Sequence, residues 1–197
     1  AFWKLGAVAL ITLTDCKQTS SGGGKQKAPF VEGGASLILS PDSLTINVGA
    51  KTEDGSDITV EGCTETRLAS DTKTTLHARG TTVILKGKIT ELDVSGAYGN
   101  KQPLVALNVQ GLTSLKDVYC YSNQLNAQAM TELLNALPAR TAGDDAKAWL
   151  YTEETDEPEG NCKDFTQPAE LKKAVEDAKS RNWKLHKINE SGILKDI

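Results

Sequence analysis

The residue best suited to chemistry is Cys120, which lies between two tyrosines in the segment LKDVYCYSNQL, residues 115 to 125. A cysteine becomes a nucleophile when a nearby histidine takes its proton and leaves a thiolate. The chain has two histidines, His77 and His186, and both lie in alternating stretches that predict solvent-facing side chains. No nucleophile motif accompanies them. We therefore expect no catalytic site and a protein that is not an enzyme.

Alternation predicts that Cys120 belongs to the core. In a strand, successive side chains point to opposite faces, which places Val118 and Cys120 on one side and Tyr119 and Tyr121 on the other. Free cysteine is among the most buried residue types, and the neighbours on its side are apolar. Asn123 is expected to donate hydrogen bonds to backbone groups where the chain turns. Both residues are thus predicted to be structural.

Metal, cofactor and nucleic-acid sites have little support in the sequence. Without Cys16, three cysteines remain, so at most one disulfide can form, and no Cys/His cluster has zinc spacing. The acidic run at 153–161 lacks calcium-loop spacing, and SSGGGK at 20–25 lacks a flanking strand and helix for a phosphate loop. The 22 basic residues are scattered among 26 acidic ones. We predict no metal, no cofactor and no nucleic-acid partner.

The first 16 residues have the features of a secretory signal. Lys4 precedes a nine-residue apolar run at 5–13, whereas a membrane helix needs about 20 residues. The stretch from Leu13 to Cys16 resembles the bacterial lipobox, which implies that Cys16 carries a lipid anchor; Asp15 departs from that pattern. The alternative is an ordinary secreted protein with an incidental Cys16. The Ser-, Gly- and Lys-rich segment 17–34 predicts a flexible tether.

The rest of the chain divides into a strand-rich part and a mixed tail. Short alternating stretches separated by turn residues predict strands from residue 35 to 125, with no helix signal before 126. Apolar residues at i, i+3, i+4 and i+7 then predict two helices, each followed by a strand. These four elements are, in order, NAQAMTELLNALP, AKAWLYT, QPAELKKAVEDAKSRN and a final strand WKLHKI.

Three short strands resemble one another. They begin at Leu92, Leu107 and Val118, which are 15 and then 11 residues apart, and a leucine stands three positions before the last two. The segment LVALNVQGLTSLKDVYCYSNQL, at 104–125, resembles the leucine-rich repeats of internalin-J-like and BspA-like surface lipoproteins of Bacteroidetes. The matching positions are Leu104, Leu107, Val109, Leu112, Leu115, Val118, Cys120, Asn123 and Leu125.

The resemblance implies an α+β fold with a short, β-rich leucine-rich-repeat solenoid at 89–125. An N-terminal β cap at 35–88 and a C-terminal α-β-α-β cap at 126–197 would enclose it, since only about two coils are visible and about three are expected for stability.

The implied function is non-catalytic binding of a protein or host-surface ligand by a lipid-anchored protein of the outer membrane or cell surface. The expected contacts are the outward residues Asp93, Asn108, Tyr119 and Tyr121. Two alternatives remain open. One is a carrier of haem or a glycan that uses His77 or a cleft between solenoid and cap, and the other is a structural component of the envelope.

Overall fold

A computed structural model describes residues 27–96 and 99–197. The described residues form a sheet-rich α+β fold with twelve strands and two α-helices, which confirms the predicted class. The first nine strands are β1 (Gly34–Leu39), β2 (Thr45–Thr52), β3 (Ile58–Glu61), β4 (Arg67–Leu68), β5 (Thr74–His77), β6 (Thr82–Lys86), β7 (Ile89–Asp93), β8 (Leu104–Asn108) and β9 (Asp117–Tyr119). The tail contains α1 (Ala127–Ala136), a 3₁₀ helix (Ala142–Asp144), β10 (Lys147–Thr152), α2 (Ala169–Ser180), β11 (Lys184–Ile188) and β12 (Leu194–Asp196).

The strands form two sheets. The smaller sheet is antiparallel and has the order β4-β3-β6-β1-β8. The larger sheet has the order β12-β11-β10-β9-β7-β2-β5, and its central strands β7, β9, β10 and β11 run parallel. Strands β2 and β12 flank this parallel part in antiparallel pairing, and β5 adds to β2.

The four parallel strands align one apolar residue each toward the core. Leu92, Val118, Ala148 and Leu185 are in register across the sheet, and all are buried. Parallel neighbours cannot be joined by a tight hairpin, so a crossover segment must return the chain each time. The three crossovers carry β8, α1 and α2, and α1 contacts both β8 and α2.

Both helices form where the apolar periodicity predicts them. Helix α1 begins after Asn126, whose side chain accepts a hydrogen bond from the Ala129 amide at 2.9 Å and so satisfies a free amide of the first turn. Its inward face includes Met130, Leu133 and Leu134. Helix α2 buries the four predicted residues, Leu171, Ala174, Val175 and Ala178. Neither helix, within the part of the chain that the structure describes, is long and apolar enough to cross a membrane.

Three expectations about strand placement are corrected. Strand β8 pairs antiparallel with β1, with Leu107 opposite Leu37, so Asn108 is not in the same sheet as β7 and β9. The shared apolar-polar-apolar pattern of the three strands does not specify which strand each one pairs with. Strand β1 is also apolar and can pair with β8 equally well. The strand WKLHKI is not the last one, because β12 follows it. Strands β10 and β11 of the predicted cap extend the parallel sheet instead of lying across its end.

The end of the predicted tether contacts the smaller sheet. Ala28 is buried, and its carbonyl oxygen accepts a hydrogen bond from the Asn108 amide at 3.1 Å. The Ser36 hydroxyl donates to the carbonyl oxygen of Pro29. The predicted signal with Cys16 and the tether up to residue 26 lie outside the described residues.

Candidate binding face

The parallel strands present a second set of side chains on the side opposite the core. We call this set the open face. Its members alternate with the buried residues along β7, β9, β10 and β11. Beyond the end of β9, the backbone hydrogen bond from Gly96 to Tyr121 extends the pairing, so Tyr121 is included. Its members are Glu91, Asp93, Asp117, Tyr119, Tyr121, Lys147, Trp149, Lys184 and His186.

An aromatic row crosses the open face. Strand register aligns Tyr119 with Trp149 and Trp149 with His186. The Tyr119 and Trp149 rings stack with their centroids 4.1 Å apart and their planes 8° apart, because neighbouring strands are separated by about 4.8 Å. The His186 ring is tilted by 42° against Trp149 at 5.7 Å. Tyr119 and Trp149 are only half-buried, so the stacked pair forms an amphipathic surface that another molecule can contact.

Burial and nearby carboxylates keep the Tyr119 phenol protonated. Burial raises the pKa of Tyr119 to about 12, and the negative charges of Glu91, Asp117 and Asp93 add to the effect. Burial also raises the pKa of Tyr121, while a hydrogen bond with Ser95 acts in the opposite direction. Both phenols are therefore neutral at neutral pH, and the Tyr119 hydroxyl can donate a hydrogen bond to a ligand, whereas that of Tyr121 contacts Ser95.

Two carboxylates lie side by side next to this row. Glu91 and Asp117 are register neighbours on β7 and β9. Burial raises the pKa of both carboxyls, and the charge of Asp117 raises that of Glu91 further. Neither forms an ion pair with any other residue in the described ranges.

The remaining charges of the open face are paired. Lys147 and Lys184 both contact the carboxylate of Asp145, each at 2.5 Å. Asp93 binds the Lys73 ammonium at 3.0 Å, and its other oxygen accepts hydrogen bonds from the amide and the hydroxyl of Ser95. These contacts fix the positions of Lys147, Lys184 and Asp93 on the open face.

The two histidines differ in exposure. His77 is solvent-facing as predicted, and its Nδ1 lies 2.7 Å from Glu65. His186 was expected to be exposed, but only 6% of it is accessible. The reason is tertiary: β12 pairs with β11 so that Asp196 lies opposite His186, with its Oδ1 2.9 Å from Nδ1, and Trp149 packs against the ring. Neither ring nitrogen of His186 makes a hydrogen bond of good geometry to a described residue, so the Asp196 contact at Nδ1 is one of charge and proximity.

Cys120 is fully buried, as predicted. Its Sγ donates a hydrogen bond to the carbonyl oxygen of Trp149 at 3.5 Å. Burial raises the pKa of the Cys120 thiol, which keeps it protonated and therefore a poor nucleophile at neutral pH. Cys63 is also a buried free thiol, so no disulfide joins it to Cys162.

Asn123 stabilises the turn that follows β9. Its buried amide group donates to the carbonyl oxygens of Val94 at 2.9 Å, Cys120 at 3.0 Å and Tyr121 at 3.2 Å. The predicted structural role of this residue is therefore confirmed.

Asn161 has the same role after β10, and the sequence did not indicate it. Its amide donates to the carbonyl oxygens of Cys120 at 2.7 Å and Leu150 at 2.8 Å, and its own oxygen accepts from the Leu125 amide at 2.8 Å. Asn161 lies in the acidic loop, where the run of charges dominated the sequence pattern.

Of the four predicted contact residues, the structure brings together Asp93, Tyr119 and Tyr121. Asn108 lies apart on β8, where its side chain donates to Ala28 and accepts from the Gln110 amide.

In the aromatic row, Trp149 and His186 were not among the predicted contact residues. The alternation in AKAWLYT already places Trp149 opposite the apolar Ala148 and Leu150. Its place in the binding face, however, depends on β10 pairing with β9, which the local pattern does not specify.

No group of three metal-binding side chains occurs in the described ranges 27–96 and 99–197. Comparison of the chain with known protein families, with characterised proteins and with solved structures finds no match.

Proposed function

We propose that the protein is a non-catalytic binding protein of the bacterial cell envelope, which holds a protein or host-surface ligand on its open face. The observation that carries this proposal is the half-exposed Tyr119–Trp149 stack at the centre of that face. Tyrosine and tryptophan are enriched at the energetically dominant positions of protein interfaces, because each buries a large area and keeps a polar group.

We also propose that the scaffold is a short leucine-rich-repeat array with the smaller sheet as its N-terminal cap. Four in-register parallel strands support this idea, as do the crossovers that join them. The buried amides of Asn123 and Asn161 support it further, since each bonds to carbonyl oxygens from two strands or turns at the corner of a coil. In this arrangement β10 and β11 add to the array the coils that the sequence pattern did not reveal.

A non-catalytic role is supported by the state of the reactive side chains. The Cys120 thiol is enclosed in the core and His186 is covered by β12, so neither reaches a ligand on the open face. The haem or glycan carrier is less well supported. Sugars usually stack on a free ring face, whereas Tyr119 and Trp149 occupy one face of each other and His186 packs beside Trp149 as well.

The lipid anchor at Cys16 and the location at the outer membrane or cell surface are part of this proposal. They depend on the sequence pattern of residues 1–16 alone.

The test is a double substitution, Tyr119→Ala with Trp149→Ala. The partner is first captured with the wild-type protein from envelope extracts and host extracellular proteins and is then purified. We expect the double variant to bind this partner about 30-fold more weakly or worse, as for a central interface pair, with a melting temperature within a few degrees of wild type.

The matched control is Phe30→Ala, which truncates an aromatic side chain that is 58% exposed and lies outside the open face. It should bind like wild type. If Tyr119→Ala, Trp149→Ala and Tyr121→Ala all leave the affinity unchanged, the open face is not the binding surface.

A further inference from the structure

A separate cleft lies beside the open face, where β7 and β9 begin. Its volume is about 450 Å³, which is within the range of small-ligand sites. Its walls are the end of β2, the start of β7, the segment before β9 and the segment after α1 that carries Arg140. The lining residues are Lys51, Thr52, Glu53, Thr90, Thr113, Ser114, Lys116 and Arg140, and we call it the basic cleft.

Positive charge dominates the basic cleft. Three cationic side chains, those of Lys51, Lys116 and Arg140, face a single carboxylate, Glu53. Lys116 is partly neutralised by Asp144 at 3.0 Å. Lys51 forms no close ion pair with another residue of the described ranges, although Glu91 lies opposite it on β7 and feels its charge.

Arg140 is held in position without losing its charge. Its Nε donates to the carbonyl oxygen of Ala139 at 2.8 Å, and a terminal nitrogen donates to the carbonyl oxygen of Thr113. Carbonyl oxygens are neutral acceptors, so the guanidinium keeps its full charge and has further N–H groups for a ligand. An arginine fixed in this way loses little side-chain entropy on binding.

Two of the four hydroxyl groups in the basic cleft already donate hydrogen bonds within the described part of the protein, and two do not. Thr52 and Thr90 are committed to carbonyl oxygens, of Ser56 at 2.7 Å and of Lys51 at 3.2 Å. The hydroxyls of Thr113 and Ser114 make no hydrogen bond to any residue that the structure describes. The uncommitted groups of the cleft therefore include an ammonium, part of a guanidinium and two hydroxyls. These groups are mainly donors, and they come from three separate segments.

We propose that the basic cleft binds the tetrahedral oxyanion of a ligand, a phosphate or sulfate group, with Lys51 and Arg140 neutralising its charge and Thr113 and Ser114 donating to its oxygens. A tetrahedral oxyanion presents acceptors in several directions and thus matches donors that converge from separate segments. Charge-assisted hydrogen bonds of this kind are about twice as strong as neutral ones. The volume leaves room for a group the size of one sugar beside the anion. The proposal does not depend on the binding role of the open face, although Lys51 lies opposite Glu91 at its edge.

The test uses the full chain and three probes, glucose 6-phosphate, glucose 6-sulfate and glucose, in isothermal titration and amide-resonance titration at constant ionic strength. We expect both anionic probes to bind and glucose not to bind, and the stronger of the two identifies the natural group. Lys51→Gln should weaken binding about tenfold. Ser114→Ala should weaken it by a smaller factor.

Lys172→Gln and Arg67→Gln are the matched controls, because they remove the same charges at exposed positions elsewhere. Both should bind like wild type. Arg140 donates to the Thr113 carbonyl oxygen, so Arg140→Gln can disturb the 113–116 segment as well as the site. Lys51 forms no close ion pair among the described residues, so Lys51→Gln tests the site without that side effect. Equal response to glucose and to both anions overturns the proposal, as does full binding by Lys51→Gln. The variant Tyr119→Ala with Trp149→Ala should keep its affinity for the anions. The anion site is therefore tested separately from the proposed binding role of the open face.

Discussion

The thiol of Cys120 is enclosed between β9 and β10, and its only polar contact in the described structure is the carbonyl oxygen of Trp149 at 3.5 Å. The neighbouring core residues Val118 and Leu125 are fully buried and apolar. Burial raises the pKa of this thiol and favours the neutral form, which suits a packing residue and not a nucleophile.

At this scale we predict that Cys120→Ser lowers the free energy of unfolding by about 1 to 3 kcal/mol, because a hydroxyl is placed in an apolar site. A C–O bond is shorter than a C–S bond, so serine reaches the Trp149 carbonyl only if the strands shift. Urea unfolding measures the change. In the native wild type, Cys120 should resist alkylation. Rapid alkylation, or a serine variant as stable as wild type, would return Cys120 to the reactive residues.

At the scale of elements, the turns after the parallel strands are held by buried amides. Parallel strands are joined by long crossovers. Where the chain turns at the end of such a strand, backbone groups have no neighbouring strand to form hydrogen bonds with. Asn123 and Asn161 satisfy these groups after β9 and β10 respectively. Each asparagine links carbonyl oxygens of different segments, which couples adjacent coils.

We predict that Asn161→Ala lowers the free energy of unfolding by about 2 to 4 kcal/mol. The substitution removes three buried hydrogen bonds, two donated to carbonyl oxygens and one accepted from the Leu125 amide. Guanidinium unfolding followed by far-UV circular dichroism measures this change. The control is Asn135→Ala on the exposed side of α1, which should change stability by less than about 0.5 kcal/mol. Equal effects of the two substitutions would contradict a coupling role for Asn161.

At the scale of the whole molecule, one hydrophobic core joins both sheets and both helices. It contains Leu37 and Leu85 from the smaller sheet together with Leu92 and Val118 from the larger one. Among the described residues, Ala28, Ile38 and Ala106 form a separate small cluster, where the segment before β1 meets β1 and β8. The described chain thus begins beside the smaller sheet, and the proposed binding face belongs to the larger one.

The proposed lipid anchor also belongs to this scale. We predict that Cys16→Ser releases the protein from the membrane fraction and abolishes incorporation of labelled fatty acid. Cys63→Ser is the control, because this buried core thiol is no candidate for lipidation and its loss should leave the protein in the membrane fraction. A Cys16→Ser variant that still sediments with membranes would show that the lipobox interpretation is wrong.

Local periodicity predicted both helices with their buried faces and the strand around Cys120 with its two faces. The alternation around Cys120 and the spacing of apolar residues in the two helices identified which side chains are buried, because each pattern depends on neighbours within one turn or one strand. The outward positions of Tyr119 and Tyr121 follow from the same alternation.

Only the tertiary structure decided which strands are neighbours, because pairing depends on residues far apart in the chain. It placed Asn108 next to β1, away from the open face, and set Trp149 against Tyr119 from a strand 30 residues later. The tertiary structure also buries His186. The local pattern of β11 predicts a solvent-facing side chain at this position, but β12 pairs with β11 and covers it. Sequence periodicity determines which face of an element is apolar, whereas long-range pairing determines what lies beside its other face.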